Sequence, residues 1–290
     1  MVKNNNITKL VLSMFALIFA FTVTLSGCLF ATESIVEGKM YVSFIDVGQG
    51  DCTLIYTSEA VILVDAGEAE NANYVIDYIR DKGMEKIDCC IATHPHSDHI
   101  GALPEVFKSI KVDTVIVPEL PEDIEPTTKT YEKFLDSLEY VDNIMFAVPD
   151  DVIEYGELKL EILGPRKVYE DLNHMSVVSK VTFGETSVVI TGDTEKVAEQ
   201  DMLAAKGADY SADILKVAHH GSNTSTCNKW LEAVNPDYAV ISCGIDNSYG
   251  HPHSETIDLL EDNEIEYYRT DLLGDIVFES DGKNITYIKQ

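Results

Sequence analysis

Residues 93–99, Thr93-His94-Pro95-His96-Ser97-Asp98-His99, constrain this 290-residue chain more than any other stretch. Four metal-ligand side chains fall within six positions, in the pattern His-x-His-x-Asp-His. An apolar run at 87–92 leads in, and Ile100-Gly101-Ala102-Leu103 leads out. That reads as a strand delivering a metal-binding loop at its C-terminal end, with a helix leaving it. In extended chain alternate side chains share a face, so His94 and His96 can grip one ion together. Asp98 and His99 follow a bend and can point at a second ion beside it. Imidazole suits zinc and related metals, and carboxylate suits zinc or manganese. Two ions about 3.5–4 Å apart can share a hydroxide and direct it at phosphorus or a carbonyl carbon.

Other strand ends carry matching chemistry. The apolar run at 187–191 stops at Gly192-Asp193-Thr194, which puts Asp193 where one carboxylate can bridge two ions. The run at 213–218 delivers His219-His220-Gly221-Ser222. His219 is the expected ligand there and His220 a substrate contact or a support behind the ligands, with the reverse assignment as the alternative. Asp65 ends the run at 60–65 and can accept a hydrogen bond from a ligand histidine, fixing its ring. In Gly48-Gln49-Gly50-Asp51 the glycines would let backbone pass close to the site with Asp51 supporting its floor, the alternative being an ordinary hairpin turn.

Apolar periodicity predicts strands at 40–45, 52–56, 60–65 and 87–92, with a helix at 73–82, then a strand at 112–118 and a helix at 130–139. Strands follow at 145–148, 152–155, 158–163, 176–183 and 187–191. Helices at 195–206, 226–234 and 254–264 alternate with strands at 213–218 and 238–243, and closing strands begin at Glu266. Strands with metal motifs, then helices, then the same again, give an α/β fold: an αββα sandwich of two mixed sheets with helices outside. Each candidate ligand ends a strand, so the ligands gather along one edge.

The N-terminus is read apart from the fold. Lys3 and Lys9 precede an apolar run at 10–23, then Leu25-Ser26-Gly27-Cys28. This is the layout of a signal peptide, and its ending resembles a bacterial lipobox. The expected organisation is a lipoprotein signal peptide at 1–27, a tether lipidated at Cys28 over 28–39, and a hydrolase domain at 40–290 held outside the membrane. Cys52, Cys89, Cys90, Cys227 and Cys243 are odd in number and form no Cys-x-x-Cys, so they read as buried thiols rather than a disulfide framework. Adjacent Cys89 and Cys90 should face opposite sides of a strand.

Taken together, residues 44–51, 94–99, Thr191-Gly192-Asp193, residues 215–222 and residues 247–252 resemble the metallo-hydrolase domain of the ComEC family, within the metallo-β-lactamase superfamily. The resemblance runs from Lys39 to the C-terminus and reaches only the hydrolase part of that family, so it implies hydrolysis and not DNA transport. It implies a two-metal phosphodiesterase or nuclease using metal-held hydroxide, with zinc, or manganese if the first ion is loosely held. His94 and His96 would hold the first ion, Asp98, His99 and His219 the second, and Asp193 would bridge. The superfamily supplies a further histidine to the first ion from a loop before the Gly-Asp strand pair, for which His174 is the choice and Asn173 the alternative. His251, Tyr249, Asn247 or His220 would bind phosphate oxygens, and His251 or His220 would protonate the leaving group, while His253 is simply exposed.

The formal net charge of -29 bears on the substrate. Acidity repels polyanions at long range. There is no Lys/Arg-rich run, and Trp230 is the sole tryptophan, so no stacking platform for a long strand is visible. A small nucleotide or a short DNA end held by metal fits better than a gripped duplex. The competing readings are another ester (a phosphocholine or cell-wall phosphodiester), a β-lactam ring, and a metal-binding lipoprotein without catalysis.

Overall fold

The computed structural model describes residues 35–289. The expected signal peptide, Cys28 and most of the tether lie outside the described residues. No helix among the described residues is long and apolar enough to cross a membrane.

The first half of the chain builds strands β1 (Met40–Phe44), β2 (Thr53–Tyr56), β3 (Val61–Val64), β4 (Lys86–Ile91), β5 (Lys111–Val117) and β6 (Val141–Phe146). Between them run helices α1 (Ala72–Asp81), α2 (Ser97–Ile100), α3 (Leu103–Ser109) and α4 (Lys129–Ser137). The second half builds β7 (Val152–Tyr155), β8 (Leu158–Gly164), β9 (Val178–Phe183), β10 (Thr186–Ile190), β11 (Ile214–Lys216), β12 (Tyr238–Ile241) and β13 (Glu266–Arg269). Its helices are α5 (Lys196–Ala204), α6 (Asn228–Val234), α7 (Ser254–Asp262) and α8 (Thr270–Leu273). Strands β14 (Ile276–Ser280) and β15 (Ile285–Ile288) close the chain.

Two mixed sheets result, one of eight strands in the order β15-β14-β1-β2-β3-β4-β5-β6 and one of seven in the order β13-β12-β11-β10-β9-β8-β7. The run β3-β4-β5-β6 is parallel, as is β10-β11-β12-β13, and the rest is antiparallel. Both parallel runs need crossover helices, and these cover the outer faces. Period-two alternation sends Val42, Phe44, Ile62 and Ile91 into one core with Leu160, Val181, Val188 and Ile214 between the sheets. The opposite faces of the first sheet pack on Val75 and Ile79 of α1, Leu103 and Phe107 of α3, and Phe134 of α4. Those of the second pack on Met202, Trp230, Leu231 and Leu260. Cys89 belongs to the core between the sheets and Cys90 to the helix-side core, on opposite faces of β4.

The strand expected at 145–148 is instead β6 at Val141–Phe146. Asp142 and Asn143 break its apolar pattern because it is an edge strand, with Ile144 and Phe146 half exposed. The closing strands also divide between sheets: β13 extends the second, whereas β14 pairs with β1 in the first.

Candidate metal centre

The candidate ligands follow the C-terminal ends of β4, β10 and β11, each of which has a parallel neighbour. After β4, Thr93 donates its N–H to Asp65 Oδ1 at 2.8 Å and its hydroxyl to Asp65 Oδ2 at 2.6 Å. The chain then bends at His94 and Pro95 and is extended at His96, and the two rings approach until His94 Nε2 and His96 Nδ1 are 3.0 Å apart. The short helix α2 turns the chain so that Asp98 and His99 enter from beside them. Gly50 makes this possible: its φ is +150°, and a Cβ there would stand 2.4 Å from the Asp98 carbonyl oxygen. Asp51 N–H donates to that same carbonyl at 3.1 Å.

Asp193 follows β10 through Gly192, where φ is +50° and a Cβ would meet Thr93 at 2.9 Å. The fully buried Asp193 carboxylate sorts the imidazoles into two pairs. Its Oδ1 lies 3.2 Å from His99 Nε2 and 3.6 Å from His220 Nε2. Its Oδ2 lies 3.8 Å from His94 Nε2 and 3.7 Å from His219 Nε2. Two groups of possible ligands share it. Asp98, His99, Asp193 and His220 form one, and His94, His96 and Asp193 the other, each with its ligand atoms within 4.8 Å of one another.

The outer nitrogens of these rings are tied down. His99 Nδ1 donates to Asp65 Oδ2 at 2.8 Å, and His220 Nδ1 donates to the Ser242 carbonyl at 3.0 Å with Asp51 Oδ1 at 3.2 Å. His94 Nδ1 sits 3.1 Å from Thr93 Oγ1. A tied Nδ1 fixes ring and tautomer and leaves Nε2 facing the centre. There His99 Nε2 and Asp193 Oδ1 are buried and face each other without hydrogen-bonding geometry.

The electrostatics ask for positive charge at that point. Burial opposes a charged imidazole, yet Asp193, Asp98 and Asp65 outweigh it and raise His99 well above the ordinary histidine value. His220 is pushed up to about 10 against its burial by Asp193 and Asp51. His94 goes well below the ordinary value through burial and the neighbouring His99, and His96 is lowered by burial. For Asp193, burial is overcome by His220 and His99, which hold the carboxyl well below the ordinary range. Nitrogen and carboxylate donors, buried and aimed at one another with orphaned inner atoms, are a candidate donor set for divalent metal ions.

The structure does not bring together all the residues singled out in the sequence. His220, not His219, stands with Asp98 and His99, because residues 219 and 220 both adopt left-handed backbone, with φ of 51° and 52°. The strand expected at 213–218 stops at Lys216, and the turn that follows reverses which ring looks at Asp98. His174 is not at His94 and His96: its Nε2 pairs with Glu195 Oε2 at 3.1 Å. Asn173 lines the mouth, with its Oδ1 buried and without a partner. His251 also lines it, its ring stacked on Tyr249 at 5.6 Å and edge-on to His219 at 5.4 Å. His253 Nδ1 accepts from Asn223 N–H at 2.9 Å. Glu195, Ser242 and Lys216 support the centre without having been marked as doing so. For Lys216 a signal existed, a lysine inside an apolar strand.

The mouth is a cleft of about 520 Å³ lined by Gln49, Thr128, Asn173, His219, Tyr249 and His251 among others, with no lysine or arginine in its wall among the described residues.

The sequence profile described as the Metallo-beta-lactamase superfamily matches residues 45–245. Among curated proteins, the chain is 29% identical over 265 residues to ComE operon protein 3 of Bacillus subtilis, which covers 83% of this chain and 33% of that protein. It is 28% identical over 249 residues to competence protein ComA of Neisseria gonorrhoeae, covering 85% and 33%. Both are ComEC-family proteins, and the chain spans about a third of the length of these relatives. Among solved structures, the metallo-beta-lactamase fold protein YhfI of Bacillus subtilis superposes with a TM-score of 0.55 at 16% identity, covering 83% of this chain and 99% of that one.

Proposed function

The chain belongs to the metallo-β-lactamase superfamily of hydrolases, and on that premise we propose that it is a two-metal phosphodiesterase acting on a DNA end or a small nucleotide. The observation that carries the two-metal reading is the Asp193 carboxylate, whose two oxygens face two separate sets of imidazoles. Kinship with competence proteins supports a nucleic-acid phosphodiester over a lactam or a lipid headgroup. The cation-free mouth and the charge of -29 support a short or small substrate. The superfamily hosts many chemistries on one fold, so the site and not the fold carries this choice.

His94, His96 and Asp193 would hold one ion, and Asp98, His99, His220 and Asp193 the other. Such a pair supplies a water of lowered pKa and neutralises charge on the phosphoryl oxygens. The chain's own work is positioning. Asp65, Thr93, Ser242 and Asp51 hold the rings of His94, His99 and His220 in one orientation, so no side chain has to reorganise during reaction. Tyr249, stacked on His251 and 65% exposed at the rim, offers a flat face to a base or sugar. His251 stays neutral, pushed down to about 4 by burial and by His220 and His219, and can donate a hydrogen bond to a phosphate oxygen. A lipid on Cys28 would hold the domain at the outer membrane face, and Cys28→Ala would release it into the medium.

The test is hydrolysis of bis-(p-nitrophenyl) phosphate and single-stranded DNA by the full chain in mild detergent, with zinc and then manganese, beside Asp98→Ala. Metal-dependent cleavage that Asp98→Ala loses supports the reading, and cleavage of the DNA narrows it to a nuclease. Two bound ions without cleavage of either substrate would point to another ester or a non-catalytic role.

A further inference from the structure

The two groups around Asp193 are unequal. One holds four protein donors, Asp98, His99, His220 and Asp193, and the other only three, His94, His96 and Asp193. A structural zinc site takes four protein donors and a catalytic one three with a place left for water, so the smaller group has room for a further donor. The loop before β9 holds the histidine expected to make up the difference, but His174 has turned away to Glu195.

A different side chain faces the Asp193 oxygen of this smaller group. His219 Nε2 lies 3.7 Å from Asp193 Oδ2, the oxygen that also faces His94. This is within 0.1 Å of the distance from that oxygen to His94 Nε2. The outer nitrogen of His219 is tied as those of His94, His99 and His220 are. Its Nδ1 lies 3.2 Å from Glu195 Oε1, which also accepts from Thr224 Oγ1 at 2.8 Å. The other oxygen of Glu195 takes His174 Nε2. Glu195 is thus a clamp with His219 in front and His174 behind. The left-handed backbone at His219 and His220 sends the two adjacent rings to opposite oxygens of Asp193.

Building on the two-metal reading above, we propose that His219 Nε2 is the fourth protein ligand of the first ion, and that Glu195 is the positioning residue that orients it. Adjacent histidines then serve different ions, His219 the first and His220 the second. His174 acts only by buttressing Glu195.

The test measures bound metal rather than turnover. The full chain, His219→Ala, Glu195→Gln and Asn173→Ala are loaded with manganese, and stoichiometry and affinity are read by calorimetry and mass spectrometry of metal content. Spin coupling between the two ions is read by electron paramagnetic resonance. The expected result is two coupled ions in the parent chain and one in His219→Ala, with the coupling lost. Glu195→Gln should weaken the same ion about 10- to 100-fold, the usual effect of losing an orienting partner, while the other ion keeps its affinity. Two ions at parent affinity in His219→Ala would overturn the proposal. Loss of one ion in Asn173→Ala alone would transfer the role to Asn173. If His219→Ala does not fold by circular dichroism, Glu195→Gln decides, and unchanged affinity there overturns the proposal. A parent chain that binds no ion would overturn the two-metal reading itself.

Discussion

Lys216 Nζ lies 2.9 Å from Asp51 Oδ1, and both side chains are buried beneath the candidate centre. The lysine first, then His220 and His99, lower Asp51 to about 2 against the burial that would raise it, and the lysine also donates to the Val217 carbonyl at 3.0 Å. Asp51 in turn faces His220 Nδ1. The pair is therefore a structural ion pair with one end on a proposed ligand. Lys216→Met keeps the stem's volume and strands the carboxylate, and should cost about 3–5 kcal/mol of unfolding free energy. The double variant with Asp51→Leu should recover a large part of that. Guanidinium unfolding of both variants checks it.

Asp65 receives three bonds, from Thr93 N–H, Thr93 Oγ1 and His99 Nδ1. In Asp65→Asn an amide group must face one of these donors, so the His99 ring loses its anchor. Metal affinity should fall about 10- to 100-fold, read by competition with a chromophoric chelator, with the secondary structure retained.

Gly48 and Gly50 both have positive φ, but a Cβ at Gly48 meets open space whereas one at Gly50 meets the Asp98 carbonyl oxygen. Gly48→Ala should cost only the backbone strain, on the order of 1 kcal/mol. Gly50→Ala should cost a further 1–3 kcal/mol or so through overpacking and should also weaken metal binding, because Asp98 must move. Thermal melts with and without manganese separate the two contributions.

Glu199 of α5 is buried and accepts N–H bonds from Thr226 at 2.6 Å and Cys227 at 2.8 Å. Burial raises its carboxyl above the ordinary glutamate value, more than those two bonds lower it. The folded chain thus holds this proton at a pH where the unfolded chain has released it. The contribution of Glu199 to stability is most favourable below the ordinary glutamate value, falls as pH rises through the raised one, and is flat above. Glu199→Gln should remove that slope. It should also cost about 1–3 kcal/mol near neutral pH, because its amide cannot accept both bonds. Denaturant midpoints across acid pH show both effects.

What could be read ahead of the structure follows distance along the chain. His94, His96, Asp98 and His99 were readable because six residues contain them and a strand followed by a turn dictates their directions. Asp193 was readable because a carboxylate after a strand and a glycine has few places to go. The exchange between His219 and His220 was not, since it depends on two left-handed residues where sequence offers only a histidine pair before a glycine. Nor was Glu195, whose partners His174 and His219 lie 21 and 24 residues away, before β9 and after β11, the strands on either side of β10 in one sheet. Strand positions followed from apolar runs, but membership of a sheet did not: β14 returns to β1 across the whole domain, and nothing local in Ile276–Ser280 says so.

That return has a consequence for the nascent chain. Met40 pairs with Ser280 and Phe44 with Ile276, so β1 is an open edge until synthesis has passed Ser280. Synthesis runs from the N-terminus, and a contact of such sequence separation forms late. The rings of Phe44 and Phe278, edge to face at 6.3 Å in the finished fold, spend that part of translation apart. An exposed strand edge in that interval is a template for pairing with another chain, so the yield of active protein should depend on how long β1 waits for β14.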